Sequence, residues 1–185
     1  MSKLATVSLE SVCTKVTDGT HDSPKLQKTG VPFIKATHIT NGFVDFDNSD
    51  FITQEDHERV IARSNPEYKD ILFTNIGASI GATAIINSKI EFSIKNVALF
   101  KPNSQKIDPD YLYFKVISNE FQEGIKNYRS GAAQPFVSLG SLREFKFEIH
   151  ENIEEQTAIA RTLVAYDNLI ENNNRRIDIL EDMAQ

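Results

Sequence analysis

The C-terminal thirty residues carry the pattern that most constrains the fold. Positions along one stripe recur at alternating gaps of four and three: Ile159, Leu163, Tyr166, Ile170, Asn173, Ile177, Leu180 and Ala184. No Gly or Pro interrupts residues 156–184, and the positions outside the stripe are rich in charge. This spacing is typical of a helix that packs along another helix. It predicts one helix from Ile153 to Met183, a rod of roughly 45 Å.

A rod of that length cannot fold back into a core of about 150 residues, so we expect it to need a partner helix. An amphipathic helix docked on its own domain is the alternative. The narrow apolar stripe and the polar remaining faces favour the partner helix. Asn173 lies on the stripe where an apolar side chain would stabilise more, and we expect it to determine register or pairing.

Charge divides the chain into two parts. Residues 1–150 contain 17 Lys and Arg against 18 Asp and Glu, whereas residues 151–185 contain 3 against 8. Nucleic-acid-binding domains are commonly basic, so charge alone does not favour that function. It does not exclude it either, because a neutral domain can concentrate its cations on one face.

Several classes of protein are excluded by composition. The single cysteine, Cys13, rules out a disulfide framework and a cysteine-based zinc site. No apolar run approaches the ~20 residues that a membrane span requires, and the N-terminus does not resemble a signal peptide. We therefore expect a soluble cytoplasmic protein.

Residues 1–150 read as a mixed domain with a bias toward strands. Short apolar or alternating runs predict strands at 31–36, 42–46, 70–74, 82–86, 92–94, 97–100 and 145–149. Asp108-Pro109 predicts the start of a helix that continues through Phe121, and residues 127–134 form a polar loop. Gly77 to Gly81 predicts a turn with positive φ. The fold class is therefore α/β (α+β): a mixed, strand-rich domain at 1–150 and a long coiled-coil helix at 151–185.

Several short sequence motifs resemble, in their order and spacing, those of the DNA specificity (S) subunit of type I restriction–modification systems. These motifs are Asp18-Gly19-Thr20-His21, Gly30 to Ile34, Asp70 to Phe73 running into Gly77 to Gly81, Asp108 to Leu112, Gly131 to Gln134, Glu154-Glu155-Gln156 and Ile179 to Ala184. The resemblance implies one target-recognition domain followed by one spacer helix. The segment Asp18 to Asp22 reads better as a loop-shaping turn than as a metal site.

Two departures from the family pattern affect what can be expected. The lead into Glu154-Glu155-Gln156 lacks the usual prolines, so the start of the helix departs from the family pattern. A complete S subunit typically carries two such units in tandem, whereas this chain carries one. It is either a natural half-subunit or a fragment of a longer one.

Two polar, cationic segments are candidates for DNA contact, given the resemblance. Arg, Asn, Gln and His read base edges in the major groove, while Lys mostly contacts phosphate. The candidates are Lys25, Lys28, Lys35, Thr37 and His38 in the first segment, and Lys126, Arg129, Ser130 and Gln134 in the second.

Two functions of other classes stay open at this point. Asp110, Glu144 and Lys146 follow the order of a restriction-nuclease core, in which acidic groups hold Mg²⁺ and the Lys polarises the phosphate. The structural interpretation of the same residues is a helix start and the solvent side of a strand. A coiled-coil scaffold that binds only protein is the other alternative.

The resemblance implies a DNA-binding subunit without catalytic residues, metal or cofactor of its own. S-adenosylmethionine, ATP and Mg²⁺ would serve the partner subunits. The expected partners are double-stranded DNA, the modification (methyltransferase) subunits and, indirectly, the restriction subunit. We also expect an antiparallel homodimer formed through the C-terminal helix, with no membrane association.

Overall fold

The computed structural model describes residues 3–40, 42–131 and 135–184. The strands are β1 (Leu4–Ser8), β2 (Cys13–Asp18), β3 (Val31–Ile34), β4 (Ile39–Thr40), β5 (Phe43–Val44), β6 (Asp50–Ile52), β7 (Ile71–Phe73), β8 (Thr83–Ile85), β9 (Ser93–Ile94), β10 (Ala98–Pro102) and β11 (Lys146–His150). The helices are α1 (Leu9–Val12), α2 (Gln54–Ser64), α3 (Pro109–Ile117), α4 (Asn119–Lys126), α5 (Leu139–Glu144) and α6 (Ile153–Met183), and a 3-10 turn spans Ala36–His38.

A four-stranded antiparallel sheet in the order β2-β10-β7-β8 forms the centre of the domain. Beside it lies a three-stranded sheet in which β3 pairs with β6 antiparallel and with β9 parallel. Two further pairs, β1-β11 and β4-β5, complete the sheets. The mixed, strand-rich class that the sequence predicts is confirmed.

The central sheet is buried on both faces because its side chains alternate between two cores. Leu72 and Leu99, which are register partners, contribute to one cluster. Ile71, Phe73 and Phe100, the neighbours in sequence, contribute to the other. This period of two explains why these strands read as continuous apolar runs.

The sequence predicts one helix from Asp108 through Phe121. This prediction is wrong in one respect, because the structure has two helices there. Asp108 caps the first as expected, accepting a hydrogen bond from the backbone N–H of Tyr111 at 3.0 Å. At Ser118 the backbone is extended (ψ 150°), which ends α3 and begins α4. The Ser118 hydroxyl accepts from the N–H of Phe121, so a cap signal lies inside the predicted helix.

Several elements were not predicted from the sequence. They are β1, α1, β2, β4, β6, α2 and α5. For α2 a signal existed, since the Thr53 side chain accepts from the N–H of Asp56 in a standard N-cap. Glu144, predicted on the solvent side of the last strand, is instead the last residue of α5, whereas Lys146 does lie on the exposed side of β11.

Helix α6 has the bounds that the sequence predicts, Ile153 to Met183. Asn152 caps it, accepting from the N–H of Glu154 at 2.7 Å. Its first two turns pack on the domain against α3 and β11, and Gln156 and Ala160 are buried there. Beyond residue 160 most of its side chains are exposed.

Among the helices described, none combines the length and the apolar content that a membrane crossing would need.

Candidate nucleic-acid interface

The segment Asp18-Gly19-Thr20 forms a tight crossing over β9. A Cβ atom on Gly19 would lie 2.1 Å from the carbonyl oxygen of Ile94, so only glycine fits. Thr20 forms a parallel bridge with Lys95, and its hydroxyl accepts from the backbone N–H of Asp22 at 3.0 Å. The expected loop-shaping turn is present, and it joins the chain after β2 to the chain after β9.

A hydrogen-bonded network holds His21 on this turn. Buried Asp18 accepts from Arg63 Nε at 2.9 Å and Nη2 at 2.5 Å, and its other carboxylate oxygen lies 3.2 Å from His21 Nε2. His21 Nδ1 lies 2.7 Å from Asn96 Oδ1. Asn96 itself has a left-handed backbone (φ 52°). The network therefore presents His21 and Asn96 in defined orientations at the surface.

The first predicted DNA segment divides into exposed and buried residues. Thr37 is exposed, and Lys35 is half-buried in an ion pair with Asp50. His38 is only 8% exposed, and its Nδ1 accepts from the backbone N–H of Lys35 at 3.2 Å. Burial lowers the pKa of His38, which favours the neutral ring. The ring thus stabilises the 3-10 turn rather than facing solvent.

Lys25 and Lys28 lie on the exposed loop that precedes β3. Neither forms an ion pair with another residue of the described ranges. Their ammonium groups are therefore available to an anionic partner.

The second predicted segment is anchored to the loop between β7 and β8. Ser130 and Phe136 form an antiparallel bridge, and Phe136 in turn bridges Ile76. The N–H of Gly77 donates to the carbonyl of Pro135 at 2.8 Å. Gly77 and Gly81 have φ of 88° and 103°, so the expected positive-φ turn is confirmed.

The polar side chains of this second segment differ in availability. Arg129 and Ser130 are exposed, and Arg129 Nη2 reaches the carbonyl of Ile80 at 3.5 Å. Lys126 pairs with Glu123 one turn earlier in α4. The predicted contact Gln134 lies outside the described residues.

The two segments predicted to contact DNA lie on either side of Ile76. A shallow cleft of about 250 Å³ is lined by Lys35, Ala36, Thr37, Ile76, Lys95 and Asn96. Since Ile76 also bridges Phe136, the Lys35 and Arg129 segments flank one loop. The structure thus combines on one face two segments that are about 90 residues apart in sequence.

Sequence reasoning missed Lys95, Asn96, Arg59 and Arg63 as neighbours of this face. Arg63 and Arg59 lie on α2, where they pair with Asp18 and Asp22. A signal for Asn96 existed, because Asn is the non-glycine residue that most readily adopts a left-handed backbone after a strand. The two arginines could not be placed without the unpredicted helix.

The predicted partner-helix residues are exposed to different degrees along α6. Ile159 is half-buried against the domain core, and Leu163 is at the edge of exposure. Tyr166 is exposed, as are Ile170 at 57%, Ile177 at 51% and Leu180 at 62%. Asn173 is exposed among them.

A groove of about 1070 Å³ runs between α6 and the domain. Phe43, Tyr68 and Ile117 line it from the domain, and Val164 and Ile170 line it from the helix. Desolvation raises the pKa of Asp167 at its rim. Of the apolar stripe of α6, Ile170 lines this groove, where it faces apolar side chains of the domain.

The nuclease-like residues do not form a metal site. Asp110 is held by Lys69 Nζ at 2.7 Å, and Glu144 and Lys146 are exposed on α5 and β11. Within residues 3–40, 42–131 and 135–184, no group of three or more His, Cys, Asp or Glu side chains could hold a metal ion.

Comparison with known proteins decides the family. Residues 1–182 match the type I restriction modification DNA specificity domain. The chain belongs to this family. The resemblance inferred from the sequence motifs is thereby confirmed, and specificity subunits are non-catalytic members of their systems.

Two curated relatives from Methanocaldococcus jannaschii match parts of the chain. A putative type I restriction enzyme MjaX specificity subunit is 30% identical over 181 residues, which cover 93% of this chain and 41% of the relative. The type I restriction enzyme MjaVIII specificity subunit is 30% identical over 87 residues, 47% of this chain and 20% of that protein. The chain therefore spans less than half the length of these specificity subunits.

Solved structures share the fold. The S subunit of a type I restriction–modification system from M. genitalium superposes with a TM-score of 0.66 at 17% identity, over 92% of this chain and 41% of its own. The HsdS subunit from Thermoanaerobacter tengcongensis gives 0.62 at 16% identity, over 93% and 39%. The α/β domain with a long C-terminal helix is thus the fold of one part of a specificity subunit.

Proposed function

We propose that this chain is a sequence-specific DNA-binding unit that directs a type I restriction–modification complex to its site. Family membership supports the class of function. The single structural observation that carries it is the face around Ile76, where two separated cationic segments lie side by side. A near-neutral domain that gathers its cations on one face can bind DNA despite an unremarkable net charge.

The exposed side chains on this face would contact different parts of the DNA. Arg129 has the fork of donors that pairs with guanine O6 and N7, and Ser130 lies next to it. Lys25, Lys28 and Lys35 would contact phosphates, which position a protein on the duplex without specifying sequence. His38 is left out of the proposed contacts because its ring is buried.

The chemistry of the complex would reside in partner subunits. A solved structure that shares this fold, with a TM-score of 0.66 at 13% identity over 97% of this chain and 46% of its own, is described as the structural basis underlying complex assembly and conformational transition of the type I R-M system. We propose that this chain likewise joins modification subunits, and the restriction subunit through them. It would carry no cofactor, so S-adenosylmethionine, ATP and Mg²⁺ would act in those partners.

DNA binding by the purified chain tests the proposal. We expect selection from a random duplex library to enrich one sequence motif, without Mg²⁺ and without cleavage or methylation. Arg129→Ala should weaken binding to that motif by ~1–3 kcal/mol and relax one base position. Arg161→Ala, an exposed arginine on α6 outside the apolar stripe, is the matched control and should change neither quantity.

The opposite results would assign another class of function. If the chain binds no DNA duplex, the remaining alternative is a coiled-coil scaffold that binds only protein. Metal-dependent cutting that is lost in Glu144→Ala would make the chain a nuclease.

We further propose that residues 1–150 form the recognition domain and that α6 pairs with a second copy of itself. The support is the exposed stripe that includes Ile170, Ile177 and Leu180, which sits at coiled-coil spacing. An antiparallel arrangement places the two recognition domains at opposite ends of a rod of roughly 45 Å, as a two-part DNA site requires. Asn173 near the middle of the exposed stripe would select the register.

The groove beside α6 also supports an antiparallel pair. In such a pair the C-terminal turns of one helix, with Leu180 and Met183, approach the domain end of the other. There Phe43 and Tyr68, each about half exposed, line the same groove as Ile170 of the stripe. The second helix would therefore cover apolar surface on both the helix and the domain.

Sedimentation of the wild-type chain distinguishes a homodimer from a fragment. A dimer at tens of micromolar supports the paired helices. A monomer would mean that the second helix comes from the remainder of a longer polypeptide, and that the two half-sites differ.

A further inference from the structure

We propose that the cleft between Lys35–Thr37 and Lys95–Asn96 binds one phosphate group of the DNA backbone. In this subsite Lys95 and Asn96 are direct contacts, and His21 and Asp18 position Asn96. The inference rests on the proposed function, because the ligand is a phosphate of the recognised duplex. None of these four residues was predicted as a DNA contact.

Strand register forces the two lysines together. Strands β3 and β9 are parallel, with Ile34 paired to Ile94. Lys35 and Lys95 are therefore neighbours at the same end of the two strands. The N–H of Lys95 donates to the carbonyl of Ile34 at 2.9 Å, which extends this pairing to the end of the strands. Neighbouring strands lie about 4.8 Å apart. Ile34 and Ile94 are buried, whereas Lys35 and Lys95, which follow them at the end of the strands, are partly exposed.

The positive charge of this edge is only partly compensated. Asp50 pairs with Lys35, whereas Lys95 Nζ donates to the Ser23 hydroxyl and has no carboxylate partner in the described part of the chain. Asp50 thus compensates Lys35 alone, and the charge of Lys95 is not paired with a carboxylate of the described residues. An anion in the cleft would be attracted to this ammonium group.

The other polar groups of the cleft add hydrogen-bond donors. The Thr37 hydroxyl is exposed. Asn96 Oδ1 faces His21 Nδ1 at 2.7 Å, which leaves the Nδ2 amide of Asn96, with two N–H groups, for the cleft. Phosphate oxygens only accept hydrogen bonds, so a lining dominated by donors matches them.

The subsite is organised before ligand binds. The backbone N–H of Asn96 donates to the carbonyl of Thr20 at 3.2 Å, and its left-handed conformation fixes the side-chain direction. Asp18, held by Arg63, lies against the other nitrogen of the His21 ring. A preorganised site loses less conformational entropy on binding.

Salt dependence of DNA binding is the direct test. Each phosphate contact contributes about 0.9 to the slope of log affinity against log salt concentration. We therefore expect Lys95→Gln to reduce the slope by about 0.9 on both the selected motif and a scrambled duplex, so that a fourfold rise in salt weakens the variant about 3.5-fold less than the wild type. Asn96→Gly keeps the left-handed backbone and should weaken both duplexes equally.

Lys106→Gln is the matched control. Lys106 is exposed and donates to the carbonyl of Ser11 near the base of α6, away from the cleft, so its slope should equal that of the wild type. His21→Ala should weaken binding as Asn96→Gly does, and the double variant should be no weaker than either single variant. Additive losses would show that His21 does not act through Asn96.

The failures of this inference and of the proposed function differ. Motif binding with an unchanged slope in Lys95→Gln would overturn the subsite and leave the DNA-binding function. A changed base preference in Asn96→Gly would replace the phosphate by a base contact. Saturation of the Lys95 and Asn96 amide shifts by micromolar inorganic phosphate would overturn the assignment to the DNA backbone. If the wild-type chain binds no duplex, both proposals are wrong.

Discussion

The two ends of α6 lie in opposite environments. In the first two turns, residues 153–160, Gln156 is 0% exposed and Ala160 is buried. From residue 161 onward, apolar side chains such as Ile177 and Leu180 are more than half exposed while the helix continues unbroken. A polar residue is therefore buried in one part, and apolar residues lie in solvent in the other.

The buried part of α6 explains the role of Gln156 in the motif Glu154-Glu155-Gln156. Gln156 Oε1 accepts from the backbone N–H of Asp108 at 2.9 Å, and its Nε2 donates to the carbonyl of His150 at 2.7 Å. One side chain thus satisfies buried groups at the start of α3 and the end of β11. The beginning of α6 belongs to the domain in its packing, although the element changes at residues 150–152.

The exposed part provides the largest predicted effect. In a symmetric dimer, Ile170→Asp with Ile177→Asp replaces four apolar side chains, each worth about 1.5–3 kcal/mol when fully buried. We expect the dimer dissociation constant to rise at least about 1000-fold, since every 1.4 kcal/mol is tenfold. Sedimentation equilibrium measures it, and circular dichroism should show an intact domain. A double variant that still sediments as a dimer would contradict pairing through this stripe.

The buried part predicts the next largest effect. Gln156→Ala leaves the N–H of Asp108 and the carbonyl of His150 unpaired, at about 1–3 kcal/mol each, so we expect the free energy of unfolding to fall by about 2–6 kcal/mol. Urea denaturation measures this. Asn172→Ala, on the exposed part, is the control and should change stability by no more than about 0.5 kcal/mol. Equal losses in both variants would remove the contrast between the two parts of the helix.

The smallest effect concerns Asp167, which lies where the helix leaves the domain. Desolvation raises its pKa above the usual 3.8, so the folded state binds a proton that the unfolded state has released. The stabilisation is fully present below pH 3.8 and is lost as the pH rises through the folded pKa. Asp167→Asn should therefore flatten the decline of unfolding free energy in that window.

Urea denaturation of the wild type and Asp167→Asn between pH 3 and pH 7 measures the difference. Asp178→Asn, on the exposed part of α6, is the matched control. Parallel pH profiles for Asp167→Asn and the wild type would show that the groove does not desolvate this carboxyl.

Local signals in the sequence predicted much of the fold. The heptad spacing identified the full extent of α6, and Asp108-Pro109 identified the start of α3. Apolar runs located the central strands because each side chain there is buried on one face or the other. Strands β1, β2, β4 and β6 and helices α1, α2 and α5 were missed, because their patterns are brief or weakly apolar and tertiary contacts stabilise them.

The candidate site was predicted only in part. Lys35 and Arg129 were selected for their residue type, and their proximity across the Ile76 loop depends on long-range bridges that no local pattern encodes. The burial of His38 has no local signal for the same reason, since it follows from packing. Lys95 and Asn96 became candidates only when the parallel register placed them beside Lys35.

The sequence by itself determined the family, the class of fold and the helix with its apolar stripe, because these follow from the order of short motifs and from local periodicity. Only the tertiary structure decided which cations share a face, which end of α6 belongs to the domain and which polar side chains are buried. Those properties arise from contacts between residues far apart in the chain. The free energy of such contacts depends on burial and on hydrogen-bond partners that the folded chain brings together.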